Sequence, residues 1–284
     1  MLKINNTEVY GFEAAIRGMR NPLNSWDKSD SRFFDYSNGD IHNVTNHYHN
    51  LDKEHIIIND DADHFESDYI SDVVGPNDLD LMSRLAKAGT THSKYRRMLV
   101  VSTDILAPLY WWKEFDTYKV GTVANSCSTM HKIQEKEFTL DDFSHENLIF
   151  DFEYPEDVTD EKQWQDFLYE YCACECNEGH SDINGLICSY DAGQVLPGYI
   201  LEWTIVMLNR ARDLFLKTGD KKYWWQMIQL LPSSYNQKRT VMLNYEVLAG
   251  IYPNRKDHKL DEWHTFCYWI KQLPYASKLI TMEE

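Results

Sequence analysis

Signals for membrane insertion and for secretion are missing from this chain of 284 residues. No run of 18 apolar residues occurs, and the longest candidate, around Tyr199 to Leu208, is interrupted by Glu202. The first residues, MLKINNTEVYGFEAA, lack the charged and then apolar layout of a signal peptide. We therefore expect a soluble, cytoplasmic protein with no membrane partner.

Basic residues are too few to balance the acidic ones. The chain has 28 Lys and Arg against 45 Asp and Glu, which gives a formal net charge of -17 and a pI of about 5.0. A field of this sign repels polyanions, so the composition argues against DNA or RNA as a partner. A few local Arg and Lys side chains are enough to bind a small phosphorylated ligand, so a nucleotide is still compatible with the composition.

The common loops for nucleotide binding and for acyl transfer are also absent. There is no G-x-x-x-x-G-K-[ST] phosphate loop and no G-x-G-x-x-G fingerprint, so ATP-driven chemistry and a Rossmann site lack support. Ser126, Cys127 and His131 lie close together in the sequence, but no G-x-S-x-G elbow surrounds them. Hydroxyls that fill a polar turn explain these residues better than a hydrolase nucleophile does.

A cysteine cluster raises the question of a metal site. Cys172, Cys174, Cys176 and His180 lie within one short stretch, YCACECNEGH. Zinc requires four thiolate or imidazole ligands at tetrahedral angles, and alternating C-x-C-x-C is not a standard zinc spacing. Small residues at the end of a helix over 164–171 are the simpler interpretation. We predict no metal and keep a metal-dependent or structural role as an alternative.

Composition indicates a globular protein. Hydrophobic residues make up 43% of the chain, which is enough for a sizeable core. The first 50 residues are polar and rich in turn formers, and the region 20–40 is predicted to be irregular. The region 138–195 is acidic, and we interpret it as an insertion within a single domain that spans 1–284.

Residue periodicity predicts the main elements. β-Branched residues predict strands at 55–60 and 96–106, and amphipathic spacing predicts a short helix over 78–89. Gly219 and Pro232 stand where helix ends are expected. The last third is predicted to be helical, with helices within 198–220, 221–232, 238–255 and 259–274.

Asn244 and Arg255 are the candidate binding residues of this last third. They are 11 residues apart, about three helical turns, so they would share one face of a continuous helix. Pro253 predicts that the helix ends just before Arg255. A guanidinium there can bind a phosphate or the edge of a uracil-like ring, and an amide can bind a flavin or a base. From these residues alone, a solvated helix end and an ordinary surface amide are the simpler explanations.

The spacing in this tail resembles the C-terminal region of flavin-dependent thymidylate synthases. Members have a Leu-Pro pair, an asparagine 12 residues after the proline and an arginine 11 residues further on. Pro232, Asn244 and Arg255 keep both spacings. The stretch DEWHTFCYWIKQLP lies where the family has its final helix, with Glu262 to His264 as an inexact counterpart of Gln-Trp-Glu.

The centre of the chain is similar to the family signature, in which an Arg-His-Arg triplet leads to an Asn-Glu-x-Ser-x-Arg element. Asn125 and Ser128 match the signature asparagine and serine. Tyr118 and Lys119, with the threonine before them, take the place of the triplet, allowing one inserted residue. His92 matches the first of two family histidines. The resemblance covers about residues 80 to 275.

Several charged positions of the family pattern are replaced. Lys119 is the one cation left in the triplet, and Ser126 and Met130 stand in place of the signature glutamate and arginine. Met98 replaces the second histidine, and Ile228 replaces an arginine ahead of the Leu-Pro pair. Each lost arginine removes a charge-assisted contact of about 1.5–3 kcal/mol.

The resemblance implies a mixed α/β (α+β) fold with an antiparallel sheet and a helical C-terminal half. It implies FAD as cofactor, with NADPH and methylenetetrahydrofolate as co-substrates. The implied reaction transfers a one-carbon unit to C5 of a pyrimidine deoxynucleotide, dUMP or an analogue, in a homotetramer with sites between subunits. The alternative is a nucleotide-binding module that keeps the fold and has lost catalysis.

The site residues that the resemblance implies are the matched positions. Arg255 would polarise and orient the pyrimidine as the catalytic residue, and Ser126 and Ser128 would bind substrate with it. The residues implied for FAD binding are His92, Tyr118, Lys119, Asn125 and Asn244.

Overall fold

The described part of the chain forms two compact units. The computed structural model describes residues 1–35, 40–43, 56–58, 74–150 and 197–283. One unit comprises Met1–Cys127 with Asn236–Glu284, and the other comprises Ser128–Tyr235. The single domain over 1–284 stays a prediction. Most of the acidic insertion, residues 151–195, lies outside the described residues.

The first unit contains an antiparallel sheet of five strands. Its order is β4-β1-β5-β7-β6, so that β5 lies at the centre between β1 and β7. Two further strands, β2 and β3, pair with each other. The strands are β1 (Lys3–Tyr10), β2 (Arg32–Asp35), β3 (Asp40–Asn43), β4 (Ile56–Ile58), β5 (Val100–Pro108), β6 (Val123–Ser126) and β7 (Asn236–Asn244).

The described residues of both units also form helices. Those of the first unit are α1 (Phe12–Arg20), α2 (Pro76–Lys87), α3 (Leu109–Phe115), α7 (Tyr245–Arg255), α8 (Asp261–Gln272) and α9 (Ala276–Leu279). Those of the second unit are α4 (Thr129–Lys132), α5 (Pro197–Thr218) and α6 (Lys221–Leu230).

Buried and exposed side chains alternate along the two central strands, which gives the sheet an apolar inner face. In β5, Val101 and Ile105 are fully buried while their neighbours are partly exposed. In β7, Val241 and Leu243 are buried and Met242 between them is exposed. Successive side chains of a strand point to opposite faces, so one face can be apolar and the other polar. Each buried aliphatic side chain contributes about 1.5–3 kcal/mol.

An aromatic cluster holds α3 against α8. The Trp111 ring lies 4.9 Å from the Trp263 ring, 5.0 Å from Phe115 and 5.6 Å from Phe266, measured between centroids. All four side chains are buried. Stacked and tilted contacts at such distances add about 0.5–1.5 kcal/mol per pair to the burial itself. The cluster fixes the C-terminal end of α3 next to α8, where the candidate site lies.

The predicted apolar stripe of α5 is buried in the second unit. Leu201, Ile205 and Leu208 are buried and cluster with Met227 of α6. Gly219 follows α5 with a φ of +66° and donates its N–H to the carbonyl of residue 215 at 2.8 Å. A residue at positive φ that closes a helix in this way is normally glycine. The predicted helix and its predicted end are both confirmed.

The N-terminal region is more regular than predicted. β1 and α1 occupy most of the first 20 residues, although the sequence there is polar. Exposed asparagines account for that polarity: Asn6 has a φ of 54° and lies where the β1–β5 register shifts. In the region 20–40, β2 and two short 3-10 helices replace the predicted irregular chain.

The segment 238–255 contains the predicted helix, but its first part is a strand. Residues 236–244 form β7, and α7 begins at Tyr245. The prediction that Pro253 ends the helix before Arg255 is wrong, because α7 includes Pro253 and ends at Arg255. Proline has no N–H to donate to the carbonyl four residues before it, and only two helical residues follow Pro253.

A buried ion pair ties the segment after α1 to the start of α2. Arg20 Nε donates to Asp78 Oδ1 at 2.6 Å, and the two side chains are 4% and 0% exposed. Asp78 Oδ2 accepts from the hydroxyl groups of Ser29 and Ser31 at 2.6 Å each. Buried charges persist only when they are paired and hydrogen-bonded in this way.

Replacing Asp78 by Asn should therefore destabilise the protein by about 3–5 kcal/mol, because the buried Arg20 guanidinium loses its counter-charge. Asp80 offers a matched control on the same helix, since its ion pair with Arg84 is about two-thirds exposed. Asp80→Asn should cost less than about 1 kcal/mol. Urea unfolding of the two variants measures both costs. Equal losses of unfolding free energy in the two variants would show that the buried ion pair stabilises the protein no more than the exposed one.

Candidate functional site

Arg255, the last residue of α7, lies between two aromatic rings. Its guanidinium carbon is 4.5 Å from the Trp263 ring centroid and 5.5 Å from that of Tyr118. Its Nε donates to the Tyr118 hydroxyl at 2.8 Å. The side chain is only 16% exposed, so its position is fixed by packing as well as by hydrogen bonds. The structure thus brings together two positions that the family resemblance had matched separately.

Glu114 of α3 is the centre of the hydrogen bonds around this arginine. Its Oε2 accepts from Arg255 NH1 at 2.6 Å and from Trp263 Nε1 at 3.0 Å. His258 Nε2 lies 3.4 Å from the same oxygen. His258 Nδ1 accepts from the N–H of Leu260 at 3.1 Å, which places a ring proton on Nε2, facing Glu114. Three elements therefore converge on one carboxylate oxygen.

The segment from Tyr118 to Gly121 runs beside α7 towards its N-terminal end. Tyr118 contacts Arg255 at one end, and at the other end a Cβ on Gly121 would come within 2.9 Å of Asn244 Nδ2. The φ of Gly121 is +81°, a backbone conformation that favours glycine. A side chain at this position would also come too close to Asn244. Lys119 lies between these ends, exposed and without a side-chain partner among the described residues.

Asn244 precedes the helix that contains Arg255. Asn244 is the N-cap of α7, and its Oδ1 accepts from the N–H of Val247 at 3.0 Å. The two residues lie at opposite ends of α7, about 16 Å apart along its axis at 1.5 Å per residue. Only the amide nitrogen of Asn244 has capacity beyond its capping role.

Asn125 and Ser126 lie on β6, the edge strand of the sheet. Both are exposed, and they pair in register with Thr240 and Arg239 of β7. Thr240 Oγ1 donates to Asp104 Oδ1 at 2.6 Å, so a carboxylate on β5 accepts from the residue that pairs with Asn125. Of the residues that were assigned to a polar turn, Ser126 ends this edge strand and His131 lies in α4.

Ser128 and His92 belong to further elements of the chain. Ser128 belongs to the second unit, where it is the N-cap of α4 and its Oγ accepts from the N–H of His131 at 3.1 Å. His92 is exposed in the turn that follows α2. Next to it, the buried Ser93 donates to Glu246 Oε2 at 3.3 Å, in the first turn of α7.

Sequence reasoning missed Glu114 and His258. Glu114 is one of several charged residues in the stretch KEFDTYK, and nothing in its spacing separates it from a solvated acid. Sequence reasoning also missed Arg239, whose guanidinium carbon lies 4.1 Å from the Trp112 ring centroid. Arg239 donates to Asp116 Oδ1 at 2.7 Å. These partners are more than 100 residues apart in the chain, so only the tertiary structure pairs them.

The predicted cysteine cluster, Cys172 to Cys176 with His180, lies outside the described residues. Within the ranges that the structure does describe, no group of three or more His, Cys, Asp or Glu side chains could hold a metal ion. No helix in those ranges is both long enough and apolar enough to cross a membrane.

Comparisons with known proteins identify the fold. No family model matches the chain, and no curated protein matches it. Two crystal structures of thymidylate synthase ThyX from Helicobacter pylori, described as flavin-dependent and solved with FAD and dUMP, resemble it with a TM-score of 0.54 and 12% identity. The alignments cover 99% of this chain and 98% of the other. The chain has the fold of a flavin-dependent thymidylate synthase.

A further structure shows a looser likeness. It is the UMP/dUMP methylase PolB from Streptomyces cacaoi, bound with 5-Br UMP, with a TM-score of 0.49, 10% identity and coverage of 99% of this chain and 95% of that one. The expected fold class, an antiparallel sheet with a helical C-terminal half in the thymidylate synthase fold, is confirmed by the ThyX likeness.

The Asp104 carboxylate, which accepts from Thr240, gives a testable pH dependence. Hydrogen bonds from Thr240 and Lys238, with a further one from Asn6, lower the pKa of Asp104 to about 2. The unfolded value is about 3.9, so Asp104 contributes stability that is present above that pH and is lost as the pH falls through about 2. In Asp104→Asn, the free energy of unfolding should fall less steeply between about pH 4 and pH 2.

Denaturant unfolding at several pH values measures this slope, and NMR titration of the carboxyl carbon checks the pKa directly. Thr240→Val removes the largest cause and should raise the pKa of Asp104 towards its ordinary value. Identical slopes in the wild type and Asp104→Asn would contradict the assignment.

Proposed function

We propose that the protein is a divergent flavin-dependent thymidylate-synthase-like enzyme that transfers a one-carbon unit to C5 of dUMP or an analogous pyrimidine deoxynucleotide in the cytoplasm. The fold supports this proposal. The observation that carries it is the contact between Arg255 and Tyr118, two positions that match separate family motifs 137 residues apart. Unrelated surface residues would have no reason to meet in this way.

Arg255 is the residue that would orient and polarise the pyrimidine. Its packing between Tyr118 and Trp263 restricts the guanidinium to one orientation, so little conformational entropy is lost on binding. Ser126, exposed at the sheet edge, and Ser128, whose oxygen already caps α4, are the weaker substrate-binding candidates.

The residues proposed for FAD fit that cofactor in part. His92, Lys119 and Asn125 are exposed and have no side-chain partners among the described residues, so they can bind a flavin nucleotide. Tyr118 is engaged by Arg255, and Asn244 keeps only its amide nitrogen for a ligand. When bound, FAD would supply hydride transfer from NADPH and relay of the one-carbon unit of methylenetetrahydrofolate.

The alternative proposal is a nucleotide-binding module on the same fold that has lost catalysis. Two observations favour it: the missing signature arginines at positions such as Met130 and Ile228, and the internal carboxylate of Glu114 on Arg255. Such a module would bind the nucleotide without the flavin.

Absorbance and thermal shift distinguish the two proposals. The enzyme should bind added FAD with a shifted flavin spectrum and should melt at a higher temperature with dUMP, because a ligand that binds only the folded state stabilises it. A response to dUMP without any bound flavin would favour the module. A protein that responds to neither ligand would contradict both.

Arg255→Ala should weaken dUMP binding about 10- to 100-fold, the equivalent of losing a hydrogen bond from a charged group. Lys256→Ala is the matched control, because it removes a neighbouring positive charge that is 45% exposed. It should change the affinity less than about twofold. Isothermal titration calorimetry measures both. Equal losses would mean that only the net charge matters.

We also propose that the protein is a homotetramer, and an outward stripe of α5 supports self-association. The stripe lies on the side opposite the buried one, and its members are between 40% and 65% exposed: Tyr199, Ile200, Trp203, Val206 and Met207. Five such side chains present on the order of 400–500 Å² of apolar surface, which is typical of an interaction site. A two-fold pairing would bury roughly twice that area, the minimum for a specific interface.

A charge in the centre of this stripe should therefore lower the mass of the assembly. Trp203→Glu is the test, with light scattering after gel filtration as the measurement. Tyr268→Glu is the matched control, because Tyr268 is an equally exposed aromatic residue, at 63% against 65%. A monomeric wild type would contradict the proposed tetramer, and an unchanged mass for Trp203→Glu would contradict this interface.

A further inference from the structure

Arg255 already carries an internal counter-ion. Its Nη1 donates to Glu114 Oε2 at 2.6 Å and its Nε donates to Tyr118 at 2.8 Å. Nη2 has no hydrogen-bond partner among the described residues. Two of the five guanidinium N–H groups are therefore engaged before any ligand arrives, and three are left for a ligand.

Only one carboxylate oxygen of Glu114 accepts hydrogen bonds from the described residues. Its Oε2 takes hydrogen bonds from Arg255 and Trp263 and faces His258, whereas its Oε1 has no partner among the described residues. The side chain is 35% exposed, so solvent or a ligand can reach it. The Tyr118 hydroxyl accepts from Arg255, and its own proton has no acceptor in the described part of the chain.

Around this ion pair, the three unused N–H groups of Arg255 and the Tyr118 O–H remain as donors, and Glu114 Oε1 remains as an acceptor. A ring edge with two carbonyl groups and one N–H, as in a pyrimidine-2,4-dione, can use both kinds of group. A phosphate offers acceptors only, and the Glu114 carboxylate repels its negative charge. Both charge and hydrogen-bonding capacity favour the neutral ring edge.

We propose that Glu114 is a specificity-determining residue, which reserves Arg255 for the neutral dione edge of a pyrimidine and excludes phosphate from it. This inference rests on the proposed function, because it assigns the part of the nucleotide that Arg255 meets. The phosphate group of the nucleotide must then bind to other cations of the protein.

Glu114→Gln tests this inference, since it keeps the size of the side chain and the hydrogen bond from Trp263 but removes the charge. Asp116→Asn is the matched control: Asp116 follows the same helix and pairs with a different ring-packed arginine, Arg239, at 2.7 Å. Calorimetric titration of each full-length variant uses two probes, inorganic phosphate and deoxyuridine.

Glu114→Gln should bind inorganic phosphate about tenfold more tightly than the wild type and deoxyuridine several-fold more weakly. Asp116→Asn should change both by less than about twofold. Adding Arg255→Lys to Glu114→Gln should abolish most of the phosphate gain, because lysine does not offer the planar fork. A gain no larger in Glu114→Gln than in Asp116→Asn, or one that survives Arg255→Lys, would overturn the inference.

A second measurement needs only the wild type, in case Glu114→Gln does not fold. Trp263 packs on Arg255 at 4.5 Å, so its fluorescence should change when deoxyuridine binds. Inorganic phosphate should neither cause that change nor compete with deoxyuridine, and competition would overturn the inference. If the proposed function is wrong, neither deoxyuridine nor dUMP should bind. The comparison of phosphate binding between Glu114→Gln and Asp116→Asn can still be made in that case, because it needs no nucleotide.

Discussion

The antiparallel pairing of β5 with β7 is the constraint on which the first unit depends. Nine residue pairs, from Val100 opposite Asn244 to Pro108 opposite Asn236, join segments of the chain that are far apart in sequence. A shift of one residue would turn Val241 and Leu243 to solvent, so burial fixes the register. The same register places Asn244 at the end of a strand, where its side chain starts α7. The position of Arg255 at the far end of α7 follows from that start.

Arg255 shows how one arrangement stabilises the fold and shapes the proposed site. A guanidinium that is largely buried needs a counter-charge, and Glu114 provides it at 2.6 Å. The aromatic cluster of α3 and α8 fixes both partners, because Glu114 lies on α3 and Trp263 on α8. Under the proposed function, a ligand would meet an ion pair rather than a bare cation. That difference would favour a polar, neutral ring over an anion, in a chain whose net charge of -17 already opposes anions.

Local patterns predicted the elements whose signals lie within a few residues. The buried stripe of α5, the glycine that closes it and the short strand at Ile56–Ile58 needed only periodicity, backbone preference and β-branching. The stretch KRTVMLN was harder, because a short apolar run suits a strand or a helix equally well. Its neighbour β5 decided the outcome, since pairing satisfies the backbone groups of residues 236–244.

The sequence by itself determined the acidic character, the helices of the last third and the spacing of Asn244 and Arg255 that led to the correct fold. It could not determine that these two residues lie at opposite ends of one helix, because a strand had to end at Asn244 first. The tertiary structure alone decided that Glu114 faces Arg255 across 141 residues of chain. Such pairings depend on how helices pack on a sheet, and packing is a property of surfaces that local sequence does not encode.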